Sequence, residues 1–178
     1  MSAKNVMSSE AHGRPVTNSL GMVAVRDAVL SNLSDFVEWP RAGRLWAPGV
    51  VRNREHHRIL PDDFVAEAKR AGATSIRLHN GPAVAAYVLA GGQLRTDSAS
   101  NRPWQVHHIY DGKFPRGAEN VLHAAKEPQH FTHSAGLVRL HPVAHALADS
   151  DAEFAWYLRD EARKRFGYAP DASATNAL

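Results

Sequence analysis

The sequence predicts an α+β fold: N-terminal helices, then two strand-like runs, a short helix and a longer C-terminal helix. Three observations predict it. Apolar residues recur at three- and four-residue spacing over Met22–Trp39 and again after Ser150, the period of a helix buried on one face. Gln105–Tyr110 and Leu137–Leu140 are short runs of strand character. Seven of the eleven histidines, His107, His108, His123, His130, His133, His141 and His145, lie between Trp104 and Asp149, so the strand region also carries the unusual chemistry.

Composition narrows the functional classes. A chain of 178 residues with 44% apolar side chains can bury the core of one domain. The absence of cysteine excludes disulfides, thiolate zinc sites and cysteine nucleophiles. Any metal has to be held by His, Asp, Glu or Asn, which suits divalent ions that accept imidazole and carboxylate. The net charge of +3 does not by itself require a nucleic-acid partner. No apolar run approaches a membrane span or a signal-peptide core, so a cytoplasmic protein without membrane contact is expected.

In chain order, residues 1–19 read as a polar tail. Residues 20–100 form a helical and mixed region of unassigned role, 101–168 a module ending in the C-terminal helix, and 169–178 a second tail. The stripe Met22, Val25, Val29, Leu33 and Phe36 predicts a helix over 22–39 that Pro40 stops, and that helix is the expected oligomer face. Arg41–Leu60 is a basic loop around Trp46, read as a solvated arginine face with the tryptophan in the core. Asp62–Ala71 is a short helix with acids in its first turn, bases in its last and Gly72 beyond. Ser75–His79 reads as a strand, and Pro82–Ala90 as either a buried strand or a helix. Asp97–Pro103 is a polar loop, Asp111-Gly112-Lys113 a turn, and Asn120–Ala125 with His130–Ser134 a hairpin. Pro142 suits the first position of a helix to about Asp149. Ser150 and Glu153 form a capping box for a helix to Arg165, with Gly167 at its C-terminus.

Adjacent histidines in a regular strand point to opposite faces, so His107 and His108 cannot both meet one ion. They can divide the work, one holding metal and the other facing substrate. His141, His145 and Asp149 are spaced by four and share one helix face. A strand histidine with two helix ligands would hold an ion and leave coordination positions open. An open ion beside an unligated imidazole suits phosphodiester hydrolysis. Arg139, Arg159 and Arg163 are the expected phosphate contacts.

The region from Val106 to Asp149 resembles the HNH, or ββα-metal, nucleases. Val106-His107-His108-Ile109 matches the opening of that family's motif, and Gly136-Leu137-Val138-Arg139-Leu140 its middle segment. His145 falls nine residues after Gly136. Gly136 stands where the family has asparagine. The resemblance implies a ββα-metal module in which His107 and His145 bind metal, Asp149 is the third ligand and His108 is the general base, with His141 a competing ligand. It implies one divalent ion (Mg, Mn, Ni or Zn) and a metal-dependent endonuclease acting on DNA, with RNA as the other nucleic acid in view. Two alternatives stand beside it: a degenerate HNH-like domain that binds metal or nucleic acid without cleavage, and a non-catalytic interaction protein.

Overall fold

The first helix, α1 (Thr17–Ser31), begins before the expected start and ends well before Pro40. Its end is local chemistry. Ser31 Oγ donates to Asp27 O (2.8 Å) and Asn32 Nδ2 to Ala28 O (3.1 Å), taking carbonyls of the last turn. Asn32 leaves helical space at φ −129°, and a 3-10 turn (Leu33–Asp35) leads into β1 (Val37–Glu38). Val29, Leu33 and Phe36 still pack into one core, so the apolar period correctly reported burial and overstated helix length. The computed structural model describes residues 17–47, 61–73, 81–94, 104–114 and 127–170.

Helix α2 (Asp62–Arg70) carries its acids and bases at the expected ends, and Gly72 beyond it takes a left-handed φ of 100°. Helix α3 (Gly81–Leu89) decides the Pro82–Ala90 alternative. Pro82 is tolerated in its first turn, and Ala83, Ala85 and Ala86 are strong helix formers that allow close packing. Strands β2 (Gln105–His108) and β3 (Leu137–Leu140) follow, with a 3-10 turn at Ser134–Gly136 leading into β3. Helix α4 (Pro142–Ser150) starts on Pro142 with His141 as its cap.

Helix α5 (Ala152–Phe166) corrects the capping box. Ser150 closes α4, donating to Ala146 O (2.6 Å), and Glu153 pairs with Arg26. The cap is Asp151, whose Oδ1 accepts from Phe154 N at 2.9 Å. One residue separates the two helices, so only Asp151 has the extended backbone a cap needs. Gly167 ends α5 at φ 63°, as expected.

The sheet is antiparallel with order β1-β3-β2. Its register sets His107 opposite Val138 and His108 opposite Leu137. Alternation then divides the molecule. Val37, Val138 and Leu140 face one core with Val29, Ala144, Leu147, Phe154 and Leu158 from α1, α4 and α5. Val106 and Leu137 face a second core with Phe64, Ala68, Ala83 and Tyr87 from α2 and α3. Helices therefore cover both faces, and the fold is α+β. Pairing of β1 with β3, and the Arg139–Glu38 ion pair at 3.4 Å, both cross the expected division at residue 100.

Trp46 packs against the second core with the Arg44 guanidinium 4.5 Å from its ring centre. His130–Ser134 forms turns and the start of a 3-10 helix, not a hairpin arm. His133 makes an isolated bridge to Leu45, and Ser134 bonds Ala42 and Arg44, which draws the segment to the N-terminal half. The N-terminal tail to residue 16, residues 48–60 of the basic loop, Ser75–His79, Asp97–Pro103, Asn120–Ala125 and residues 171–178 lie outside the described residues. Among the described residues no helix is long and apolar enough to cross a membrane.

Candidate metal centre

Strand β2 aims His107 at the α4 side of the sheet. The His107 and His145 rings meet edge to face at 5.1 Å between centres. Beyond β2 the chain turns at Gly112, with φ 76°, and Asp111 Oδ1 accepts from Lys113 N (3.0 Å), fixing the turn. Asp111 thus stands just past the strand end, and the turn folds Lys113 back over it. From the other side α4 presents His145 and Asp149, with Nδ1 and Oδ2 3.4 Å apart. Ligand atoms of His107, Asp111 and Asp149 all lie within 4.8 Å of one another.

Sequence reasoning missed Asp111. It was read as a turn residue, which it is. Its second role depends on α4 bringing Asp149 beside it, and the only signal for it was a carboxylate four residues beyond His107. Arg159 of α5 fixes this turn. Its Nε donates to Ile109 O (3.1 Å), its Nη1 to Phe114 O (2.8 Å), and its Nη2 lies 4.0 Å from Asp111 Oδ1.

The electrostatics suit a cation. Burial, then the neighbouring His145, push the His107 imidazole down to about 3, although the Asp149 charge acts the other way. Its ring therefore keeps a lone pair at neutral pH. The ring is 9% exposed and makes no hydrogen bond among the described residues. Lys113 Nζ hydrogen-bonds Asp149 Oδ1 and lies 3.5 Å from Asp111 Oδ2. Partial burial raises the Asp149 carboxyl, but the Lys113 hydrogen bond and the charges around it outweigh that and hold it below its ordinary value.

A neutral imidazole and two carboxylates are a donor set that divalent ions accept. Ligands about 2.0–2.2 Å from a zinc-sized ion are at most about 4.4 Å apart, close to the 4.8 Å within which all three ligand atoms lie. An ammonium already stands between the two carboxylates. The residues fit a divalent ion.

The other predicted residues lie elsewhere or serve the fold. His108 points to the opposite face, 6% exposed and stacked on Phe131 at 4.8 Å. Its Nε2 lies 2.9 Å from Phe131 O, and since a carbonyl only accepts, Nε2 carries the proton. His141 is drawn off by its own helix. Its Nδ1 accepts from Val143 N (3.2 Å), and its ring packs edge-on to Phe36 and Trp104. Arg139, expected on phosphate, is 3% exposed, bonds Gln93 O, pairs with Glu38 at 3.4 Å and lies over Trp104. Arg159 is 5% exposed and spent on the turn described above. Both guanidiniums are buried because loop carbonyls need donors there, so neither is a phosphate contact. Arg163 is on the surface, 3.5 Å from Asp160. Gly136 gives its carbonyl to Ile109 N (3.0 Å), and a Cβ there would stand 3.2 Å from Tyr168 Cε1, so an asparagine would crowd this ring.

No family model matches the chain, and no match is found among curated proteins or among solved structures.

Proposed function

We propose that this chain is a metal-dependent endonuclease that hydrolyses phosphodiester bonds in DNA, with a ββα-metal site formed by β2, β3 and α4. One observation carries the reading. An electrically neutral buried imidazole and two carboxylates, from a strand end, the turn after it and the helix after β3, converge on one small volume. His107, Asp111 and Asp149 would hold the ion. When bound, it supplies positive charge for the phosphoryl oxygens and the leaving group.

The chain's own residues do the rest. His145 is 27% exposed at the side chain and borders the site. The Asp149 carboxylate beside its Nδ1 favours the tautomer with the proton there, leaving the Nε2 lone pair to take a proton from water. Asp149 divides its oxygens, Oδ1 toward Lys113 and Oδ2 toward His145. Asp111 is held by its own turn and by Arg159. The general-base role therefore passes from His108 to His145, and His108 becomes the group that ties β2 to the Phe131 segment.

A plasmid-nicking assay with Mg²⁺, Mn²⁺, Ni²⁺ or Zn²⁺ and a chelator control tests the reading. Metal-dependent nicking is expected, lost in His145→Ala with Mn²⁺ binding retained, and lost in His107→Ala together with binding. Metal-independent nicking overturns it. A folded His108→Ala that binds metal but cannot nick returns the base to His108. A second reading, a metal-binding domain that does not cleave, is favoured by the burial of Arg139 and Arg159, which removes two of three expected phosphate contacts. It predicts Mn²⁺ binding without nicking of DNA or RNA.

A further inference from the structure

The two carboxylates of the metal centre already have a counterion, and it is covalently part of the same turn. Lys113 follows Asp111 by two residues. Its backbone N–H is held by Asp111 Oδ1, and its ammonium reaches Asp149 Oδ1 and Asp111 Oδ2. These are the carboxylates a metal would need. Its side chain is 47% exposed, so it can swing into water without leaving a hole in the core. The His107 ring faces the same volume, nine-tenths buried and without a hydrogen bond among the described residues. It offers a metal a third donor that the ammonium does not use.

We propose that Lys113 is a tethered competitor for the metal, occupying the Asp111–Asp149 pair until a divalent ion displaces it, and so setting the site against monovalent cations. The proposal rests on the metal-centre reading above. A sodium or potassium ion brings no more charge than the ammonium it would replace, and has to give up hydration and freedom to do so. A divalent ion brings twice the charge and adds a bond to the His107 nitrogen. Exchange is then favourable only for the divalent ion. Without Lys113 only the Arg159 guanidinium, 4.0 Å from Asp111 Oδ1, would stand against the two carboxylates, and a small cation would be drawn to the oxygens Lys113 had held.

The test is Mn²⁺ binding to the whole chain, read by the electron paramagnetic resonance of the unbound aqueous ion, in the wild type, Lys113→Met and Lys113→Arg. Each exposed ion pair removed is worth at most about 1 kcal/mol, so Lys113→Met should bind Mn²⁺ roughly three- to tenfold tighter. Lys113→Arg, which keeps the charge, should stay within about twofold of the wild type on the same scale. Sodium chloride and choline chloride at equal ionic strength should weaken wild-type binding equally. In Lys113→Met, sodium should weaken it more. Equal or weaker Mn²⁺ binding by Lys113→Met, tightening by Lys113→Arg, or equal effects of the two salts on Lys113→Met overturns the proposal and leaves the metal centre standing. Absence of Mn²⁺ binding by all three proteins overturns the metal centre and the proposal with it.

Discussion

His107 and His108 are neighbours of the same residue type on one strand, and the sheet sends them into different chemistry. The first faces a turn and a helix end that bring two carboxylates and a lysine to its ring. The second faces an aromatic ring and a backbone carbonyl, and its hydrogen-bonding proton is already given to Phe131 O. The residue type admits either role, and the face of the strand chooses between them. A paired histidine in a sequence is therefore evidence for one site residue, not two.

The largest expected effect is the response of the metal-free protein to acid. Burial, with His145 next, brings His107 from 6.5 down to about 3, and burial, with His130 next, brings His133 down to about 4. Below pH 6.5 the unfolded chain protonates both rings while the folded chain keeps them neutral. The unfolded state then binds more protons, so stability falls as pH drops from 6.5 toward 4 and 3. At about 1.4 kcal/mol per unit for each ring, the two together remove at most on the order of 8 kcal/mol, comparable with the whole stability of a small domain. Urea unfolding at a series of pH values in the presence of chelator reads this directly. His107→Gln should take away about half of the acid slope. An unchanged slope would mean that the ring is not held neutral by its surroundings.

Next in size is His108→Ala, which breaks the comparison from the other side. It removes a buried ring stacked on Phe131 and leaves Phe131 O without that donor. We expect a loss of about 2–4 kcal/mol at pH 7, whereas His107→Ala in metal-free protein should cost less, because no hydrogen bond is lost with it. Chemical denaturation ranks the two, and the reverse order would sink the assignment of faces.

Much of this arrangement was legible before any coordinates. Pro142 and Gly167 mark helix ends through backbone rules that need no neighbours, and the order β2, β3, α4 follows from short apolar runs and a proline. The Met22–Trp39 stripe was legible as burial, but Ser31 and Asn32 turned its second half into a 3-10 turn and an edge strand. Ser150 and Asp151 both look like caps, and only the one-residue gap between α4 and α5 chooses Asp151. The second contact of Asp111 and the burial of Arg139 and Arg159 were missed for one reason. Whether a charge meets solvent, a loop carbonyl or another charge is decided by chain segments far away in sequence, and no local period encodes that.

Smaller again is Gly136→Asn, which restores the residue that the HNH resemblance leads one to expect. With its Cβ 3.2 Å from Tyr168 Cε1, the new side chain has to displace a ring that stacks on His133 at 4.1 Å and bonds His130 Nδ1 through its hydroxyl at 2.7 Å. Overpacking of this kind costs about 1–3 kcal/mol. Gly136→Ala should show the smaller part of that loss. If Gly136→Asn matched the wild type in Tm and nicked DNA faster, the glycine would be a replaceable departure and not a requirement of the Tyr168 contact.

The smallest effect on stability should come from Arg163, and its value lies in the contrast with Arg159 four residues earlier on the same helix. Arg159 is buried and gives its donors to Ile109 O and Phe114 O, so Arg159→Ala should cost about 2–4 kcal/mol and loosen Asp111. Arg163 has a side chain 50% exposed, 3.5 Å from a half-exposed Asp160, and Arg163→Ala should move stability by less than about 0.5 kcal/mol. Any effect it has must then appear in binding. If α5 meets the phosphate backbone through this residue, Arg163→Ala should weaken DNA binding about equally for all sequences and lower the slope of log affinity against log salt by about 1. An unchanged slope removes Arg163 from the interface, and with Arg139 and Arg159 already buried it would leave no expected arginine on the DNA and favour the metal-binding, non-cleaving reading.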